Sequence, residues 1–149
     1  VTVDATGKVM ETNEANNAKT VQLGPPSATL IGMGPITGKP DLMVSSIRLD
    51  NAKRVLVEVK NVGIAGLDQA LWSGNQLILN LKMNGNGWAN VPLAGLDREK
   101  NLTRPGGTAV YATGYVLRQK VTISATIDST NAVAEGNENN NTTQVDLQP

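Results

Sequence analysis

The group of residues most able to do chemistry lies near the C-terminus, where acidic and amide side chains crowd together. Its members are Asp128, Glu135, Asn137, Glu138, Asn140 and Asn141. Carboxylate and amide oxygens are the ligands that Ca²⁺ prefers, so one hypothesis is a weak calcium site, which is the only cofactor that the sequence suggests. The other hypothesis is that Asp and Asn side chains bond nearby backbone groups and fix a loop. The spacing differs from that of an EF-hand, and both hypotheses stay open.

Catalytic chemistry has little support. The chain contains no His and no Cys, so it lacks the usual proton-transfer residue near neutral pH and any thiol chemistry or disulfide. Glu135 and Glu138 could be imagined as a glycosidase pair, but no aromatic platform accompanies them. Trp72 and Trp88 could stack on a glycan, although in a chain without Phe they are better explained as packing residues. We therefore expect no enzyme and leave glycan binding open.

Charge and hydropathy narrow the class of partner. Thirteen basic and thirteen acidic residues cancel, so binding driven by charge to nucleic acid or to an anionic membrane is not expected. No apolar run approaches the roughly 18 residues of a membrane span, which predicts no membrane insertion. The chain begins at Val1 without a signal peptide, which we interpret as a mature product or a fragment.

Short alternating runs separated by turn residues predict an all-β fold. Seven strands are expected, at residues 41–49, 53–61, 76–83, 88–93, 108–117, 120–127 and 142–147. Within the second run, Val55, Val57 and Val59 share one face, as in a half-buried strand. Asn84-Gly85 predicts a tight hairpin, because both turn positions need positive φ. The whole pattern is typical of a seven-stranded immunoglobulin-like or fibronectin III-like β-sandwich.

The first 23 residues repeat the end of the chain. Residues 1–23 align without a gap on residues 125–147 and are identical at eleven positions. The acidic and amide group recurs there as Asp4, Glu11, Asn13, Glu14, Asn16 and Asn17. We therefore divide the chain into a displaced copy of a C-terminal strand segment (1–23, the N-terminal segment), a Gly/Pro-rich linker (24–39) and a β-sandwich domain (40–149).

Three pieces of the sequence resemble one family. The run from Glu135 to Asn141 is similar to the E-x-N-E-x-N-N pattern near the end of CARDB domains, which are bacterial and archaeal cell-adhesion-related modules. Pro40-Asp41-Leu42 resembles the P-D-L opening of the family, and residues 57–63 resemble its V-x-V-x-N-x-G strand and turn. The resemblance implies a sandwich without known catalysis, located in large extracellular or cell-surface proteins, where it usually occurs in tandem.

The N-terminal segment can be interpreted in three ways. It is the remnant of a preceding module in a tandem array, or it completes the sheet of a neighbouring molecule, or it folds back on its own domain. The first two make copies of the chain or adjacent similar domains the expected partners, and strand exchange or addition would propagate as a filament. The apolar residues expected to set the register are Val1, Val3, Val9, Val21 and Leu23, matched by Val133, Val145 and Leu147.

Overall fold

Seven β-strands build the part of the chain that the structure describes, residues 38–149 of a computed structural model. They are β1 (Leu42–Leu49), β2 (Arg54–Asn61), β3 (Ile78–Met83), β4 (Asn86–Pro92), β5 (Thr108–Val116), β6 (Val121–Ile127) and β7 (Thr142–Leu147). All seven agree with the strands predicted from sequence to within two residues. The N-terminal segment and nearly all of the linker, with the roles predicted for them, lie outside the described residues.

The strands form two antiparallel sheets, as expected of an immunoglobulin-like sandwich. One sheet has the order β1-β2-β5 and the other the order β4-β3-β6-β7. Alternate residues of the central strands turn inwards: Val55, Val57 and Val59 of β2 are fully buried, as are Leu79 and Leu81 of β3. A face of β-branched and Leu side chains on each sheet supplies the core without any Phe, because such residues suit a pleated, half-buried surface.

A β-bulge in β1 compensates for a break in the alternation of buried and exposed residues along the strand. Leu42 and Val44 are both buried, but the next buried residue is Ile47, three positions later. The pairing with β2 shifts between Val44 and Ser46, so one extra residue is absorbed there. The bulge returns Ile47 to the core side of the sheet.

The β3–β4 hairpin confirms the turn predicted from its sequence. Met83 pairs with Asn86, leaving Asn84 and Gly85 as a two-residue loop. Both loop residues have positive φ, at 48° and 80°, which is the combination that an Asn-Gly turn provides at low cost.

The long connections contain short helices that the sequence pattern did not predict. Gln69–Ser73 and Asn101–Thr103 form 3₁₀ helices, and Leu93–Leu96 forms a single α-helical turn, α1. Each is too short to show a helical period in the sequence. Their apolar residues, including Trp72, Leu93 and Leu102, reach into the core. Within the described part of the chain, no helix is long or apolar enough to cross a membrane.

Truncation of a buried core side chain should destabilise this domain far more than truncation of an exposed one. Leu79 is fully buried, whereas Val62 is 42% exposed. We expect Leu79→Ala to lower the free energy of unfolding by about 2–5 kcal/mol, because it leaves a cavity in a rigid core. Val62→Ala should change it by no more than about 0.5 kcal/mol. Urea denaturation measures both free energies of unfolding. Equal decreases in the two variants would contradict the assignment of Leu79 to the core.

Candidate functional site

The loop between β6 and β7 begins with a buried aspartate whose carboxylate binds the backbone. Asp128 is 3% exposed and accepts hydrogen bonds from the N–H groups of Ala132 and Val133, at 2.8 and 2.9 Å. Asn131, between them and the aspartate, has a φ of 55°. The Asp128 carboxylate thus binds two backbone amides that have no partner in a strand, and it stabilises the turn of the chain. Val133 packs into the core.

The same arrangement recurs in the connection between β4 and β5. Asp97 accepts from the N–H groups of Asn101 and Leu102, at 2.9 and 2.8 Å, and Lys100 has a φ of 57°. In both loops an aspartate binds the fourth and fifth residues after it, the third has positive φ and the fifth is a buried apolar residue. Sequence reasoning missed Asp97, although an Asp five residues before Leu or Val is a readable signal.

The second half of the β6–β7 loop holds the start of β1. Oε2 of Glu135 accepts from the N–H of Leu42 at 2.9 Å. Nδ2 of Asn140 donates to Oδ1 of Asp41 at 2.7 Å, and the N–H of Gly136 donates to the carbonyl of Pro40 at 2.9 Å. We call these six residues the β1 clamp. It joins the P-D-L opening to the E-x-N-E-x-N-N run, which are more than 90 residues apart in the chain.

Asn141 extends the β1 clamp when its amide nitrogen faces inwards. In that orientation the nitrogen donates to Oδ1 of Asn140 at 3.0 Å, Oε2 of Glu135 at 3.2 Å and the carbonyl of Leu42 at 3.0 Å. The orientation is assigned from these partners, since the opposite one would set donor against donor and acceptor against acceptor. Asn141 is 7% exposed, so these bonds replace hydration that the buried amide has lost.

Glu135 is the most unusual group in this loop. It is 3% exposed, and its Oε1 is buried with no hydrogen-bond partner among the described residues. The pKa of its carboxyl is raised to about 7, and burial is the largest cause. The hydrogen bond from Leu42 lowers the pKa without offsetting burial, while nearby negative charges raise it further, namely those of Asp128, Glu138 and Asp41.

The remaining polar residues of the loop are more exposed. Oε1 of Glu138 accepts from the N–H of Glu135 at 2.8 Å, and Oδ1 of Asn137 accepts from the N–H of Asn139 at 3.1 Å. Among residues 38–149, no group of three or more acidic side chains is arranged to hold a metal ion. The hydrogen bonds of this loop run largely to backbone groups, which is chemistry suited to holding a chain in place.

Asn61 supports the start of β1 from the opposite side. It is fully buried, and its Oδ1 accepts from the N–H groups of Asp41 and Gly63, both at 3.1 Å. Its Nδ2 donates to the carbonyl of Ala65 at 2.8 Å. A Cβ at Gly63 would lie 2.4 Å from the carbonyl oxygen of Lys39, so only glycine fits there. The N and G of the V-x-V-x-N-x-G run are therefore both explained by backbone packing.

The two tryptophans do not form one surface. Trp72 is 9% exposed and belongs to the core, and its Nε1 donates to the carbonyl of Asp97 at 2.6 Å. Trp88 is partly buried and contacts Tyr115 edge to face, with ring centroids 5.5 Å apart. The packing role expected for Trp72 is confirmed, and Trp72 is therefore not accessible for stacking on a glycan.

A family model describes most of the chain. The CARDB model matches residues 39–145. This range contains all seven strands except the last two residues of β7, and it includes the β1 clamp and Asn61. The chain belongs to the CARDB family. This match confirms the family resemblance seen in the sequence. CARDB domains are cell-adhesion-related modules without catalytic activity.

A solved crystal structure agrees with this fold. The crystal structure of the CARDB domain of the PF1109 protein from Pyrococcus furiosus, in complex with di-metal ions, is 24% identical and has a TM-score of 0.51. The match covers 74% of this chain and 93% of that one. The solution NMR structure of the same PF1109 domain is also 24% identical, with a TM-score of 0.46 over 74% and 94% of the two chains. No curated protein matches significantly.

The raised pKa of Glu135 predicts that the CARDB domain is more stable in mild acid. The folded state holds this proton up to about pH 7, whereas the unfolded chain releases it near 4.5. The contribution of this group is therefore fully present below pH 4.5 and is lost as the pH rises through 7. The difference amounts to roughly 3 kcal/mol.

Urea denaturation between pH 4.5 and 8 measures this effect. Glu135→Gln keeps the shape of the side chain but cannot ionise, so we expect it to flatten the pH dependence over this range. Asp68→Asn, at an exposed carboxylate whose capping oxygen the amide keeps, is the matched control and should leave the wild-type slope unchanged. A wild-type slope that persists in Glu135→Gln would contradict the assignment.

Proposed function

We propose that this CARDB domain is an extracellular structural module that joins similar modules in series. In this proposal residues 4–23 of the N-terminal segment (1–23) take the place of residues 128–147 in a neighbouring copy by strand exchange and pair with its β6, so that the contact repeats from molecule to molecule as a filament. A tandem array with a period of 124 residues would use the same contact within one long chain. Either arrangement suits a cell-adhesion-related surface protein.

The main support for this proposal is the set of positions that are identical in residues 1–23 and residues 125–147. Seven residues between 125 and 147 are buried, and five of them recur identically in the N-terminal segment: Asp128, Val133, Glu135, Asn141 and Leu147 correspond to Asp4, Val9, Glu11, Asn17 and Leu23. The other two, Ala125 and Ile127, are replaced by Val1 and Val3. Only three of the twelve exposed positions are identical. The N-terminal segment therefore keeps the residues that contact the rest of a domain and varies the others.

The pairing of β7 with β6 supplies the expected register. Val145 pairs with Ile123 and Leu147 with Val121, so we expect Val21 and Leu23 of a neighbour to face the same two residues. Backbone hydrogen bonds to β6 are independent of side-chain identity and would be kept in full.

The chain's own β7 competes for this site. Thr143 donates through Oγ1 to the carbonyl of Val44 at 2.7 Å, and Asp146 binds Thr122 and Lys120. The N-terminal segment has Lys19 and Gln22 at these two positions and would lose those bonds. A tethered strand also has a high effective concentration. Exchange should therefore increase when β7 is weakened.

Engineered cysteines test this exchange without background, because the chain contains no Cys. The Oγ1 atoms of Thr126 and Thr142 lie 2.9 Å apart across β6 and β7, and Ala18 is the counterpart of Thr142. One chain carries Ala18→Cys and the other carries Thr126→Cys with Leu147→Asp to weaken β7. After mixing and oxidation we expect a disulfide-linked heterodimer, in lower yield without Leu147→Asp.

A single chain with Thr126→Cys and Thr142→Cys is the positive control for this geometry and should close an internal disulfide. The donor is tested separately: Val21→Asp with Leu23→Asp should abolish the heterodimer, whereas Gln22→Asp, which introduces the residue that β7 itself carries, should not. A control that closes while the mixture gives no heterodimer would exclude strand exchange at this site.

A cation-binding adhesive domain is the second candidate function. The observation that favours it is the buried Oε1 of Glu135, which no described group satisfies, and the PF1109 CARDB domain was crystallised with di-metal ions. Ca²⁺ would have to use carbonyl and amide oxygens in addition to this carboxylate. Ca²⁺ at 5 mM (about five to fifty times a weak-site Kd) should then raise the melting temperature by several degrees relative to EDTA. Identical melting curves would remove this candidate.

A further inference from the structure

β5 is the least protected strand edge among the described residues. It pairs with β2 on one side only, and no described loop forms a backbone hydrogen bond to any of its nine residues on the other side. Its sequence, Thr-Ala-Val-Tyr-Ala-Thr-Gly-Tyr-Val, contains no charged residue and no Pro. Val110 and Val116 are 46% and 45% exposed. Long, apolar, uncharged edges are rare because they pair with other chains.

The other three edges are protected by different means. β1 is covered by β7, through the bond between Thr143 and Val44. β7 carries Asp146, paired with Lys120 at 3.2 Å. β4 contains Gly87 and ends at Pro92, which cannot donate to another strand. The contrast makes β5 the edge at which a further strand would bind.

A groove of about 500 Å³ runs along the first half of this edge. Thr108–Ala112 line one side, and the connection from Gly95 to Asn101 lines the other. Arg98 and Glu99 lie on that second side with opposite charges, and neither is in an ion pair within residues 38–149. Beyond Ala112 the pairing with β2 becomes irregular, and Gly114 has a φ of 74°, so the regular part of the edge is Thr108–Ala112.

We propose that this edge pairs antiparallel with the same edge of a second copy of the chain, about a two-fold axis at Val110. An uncharged strand meets its own copy without like-charge repulsion. A two-fold contact brings the same surface from both sides, so Arg98 of one copy can face Glu99 of the other and the reverse. Two three-stranded sheets then become one of six strands, and the exposed Val110 side chains of the two copies lie next to each other.

This contact is lateral and does not involve the N-terminal segment. It joins two modules side by side, whereas strand exchange joins them end to end. For a cell-adhesion-related module it supplies self-recognition between neighbouring chains. Its partner is therefore another molecule of the same sequence.

The test uses the full chain with Val21→Asp and Leu23→Asp, so that strand exchange cannot contribute. Sedimentation equilibrium should show a concentration-dependent dimer. Adding Val110→Lys should raise its Kd by at least about tenfold, since two ammonium groups would face each other across the axis. The fold of the monomer should tolerate this change, because position 110 lies opposite Glu58 on β2. Val62→Lys, at a valine that is 42% exposed away from the edge, is the matched control and should keep the dimer.

Single cysteines give a second measurement in the same background. Val110→Cys lies on the axis and should form a reducible dimer faster than Val62→Cys. A chain that stays monomeric at all concentrations, with equal oxidation rates at both positions, would overturn the β5 contact and leave the exchange proposal untouched. Loss of the dimer in Val62→Lys as readily as in Val110→Lys would overturn it as well.

Discussion

The structure depends on keeping the start of β1 attached to the opposite sheet. β1 belongs to the three-stranded sheet, yet its first amide, that of Leu42, donates to Glu135 in the loop that precedes β7. A buried amide without a partner would cost about 1–3 kcal/mol. Glu135 supplies the partner, although burial disfavours the charged form of its carboxylate. Asn61 holds the neighbouring amide of Asp41. The two sheets are thus joined by polar contacts at one end and by apolar packing through the middle.

Short polar side chains perform the same task throughout the described domain. Asp97 and Asp128 each bind two backbone amides ahead of a buried apolar residue, and Asp50 binds the amides of Ala52 and Arg54 in the β1–β2 turn. A chain without disulfides must fix its long connections by other means, and short carboxylate side chains do so by replacing strand partners. The acidic residues that first suggested chemistry are, in their observed contacts, ligands of the backbone.

The two proposed contacts follow from different parts of this design. End-to-end joining uses a segment whose shared residues are those buried in the β6–β7 region, so it depends on the clamp and on the register of β7. Side-by-side pairing uses an edge that the clamp leaves untouched. A module with both would assemble in two directions, and the two contacts can be removed independently because they share no described residue.

The sequence alone determined the strands, the Asn-Gly hairpin and the inward face of β2, because local alternation and turn chemistry act over a few residues. It also revealed the repeat of residues 125–147. Our sequence analysis missed the burial of Asp97, although its carboxylate binds amides only four and five residues away. It could not predict that the Asn61 side chain joins three backbone segments, since Asp41 and Leu102 are distant from it in the chain. The acidic and amide group shows the division most clearly. Its composition allowed a metal site or a fixed loop, and the contacts of Glu135 and Asn140 with residues more than 90 positions away became visible only after the sheets were packed together.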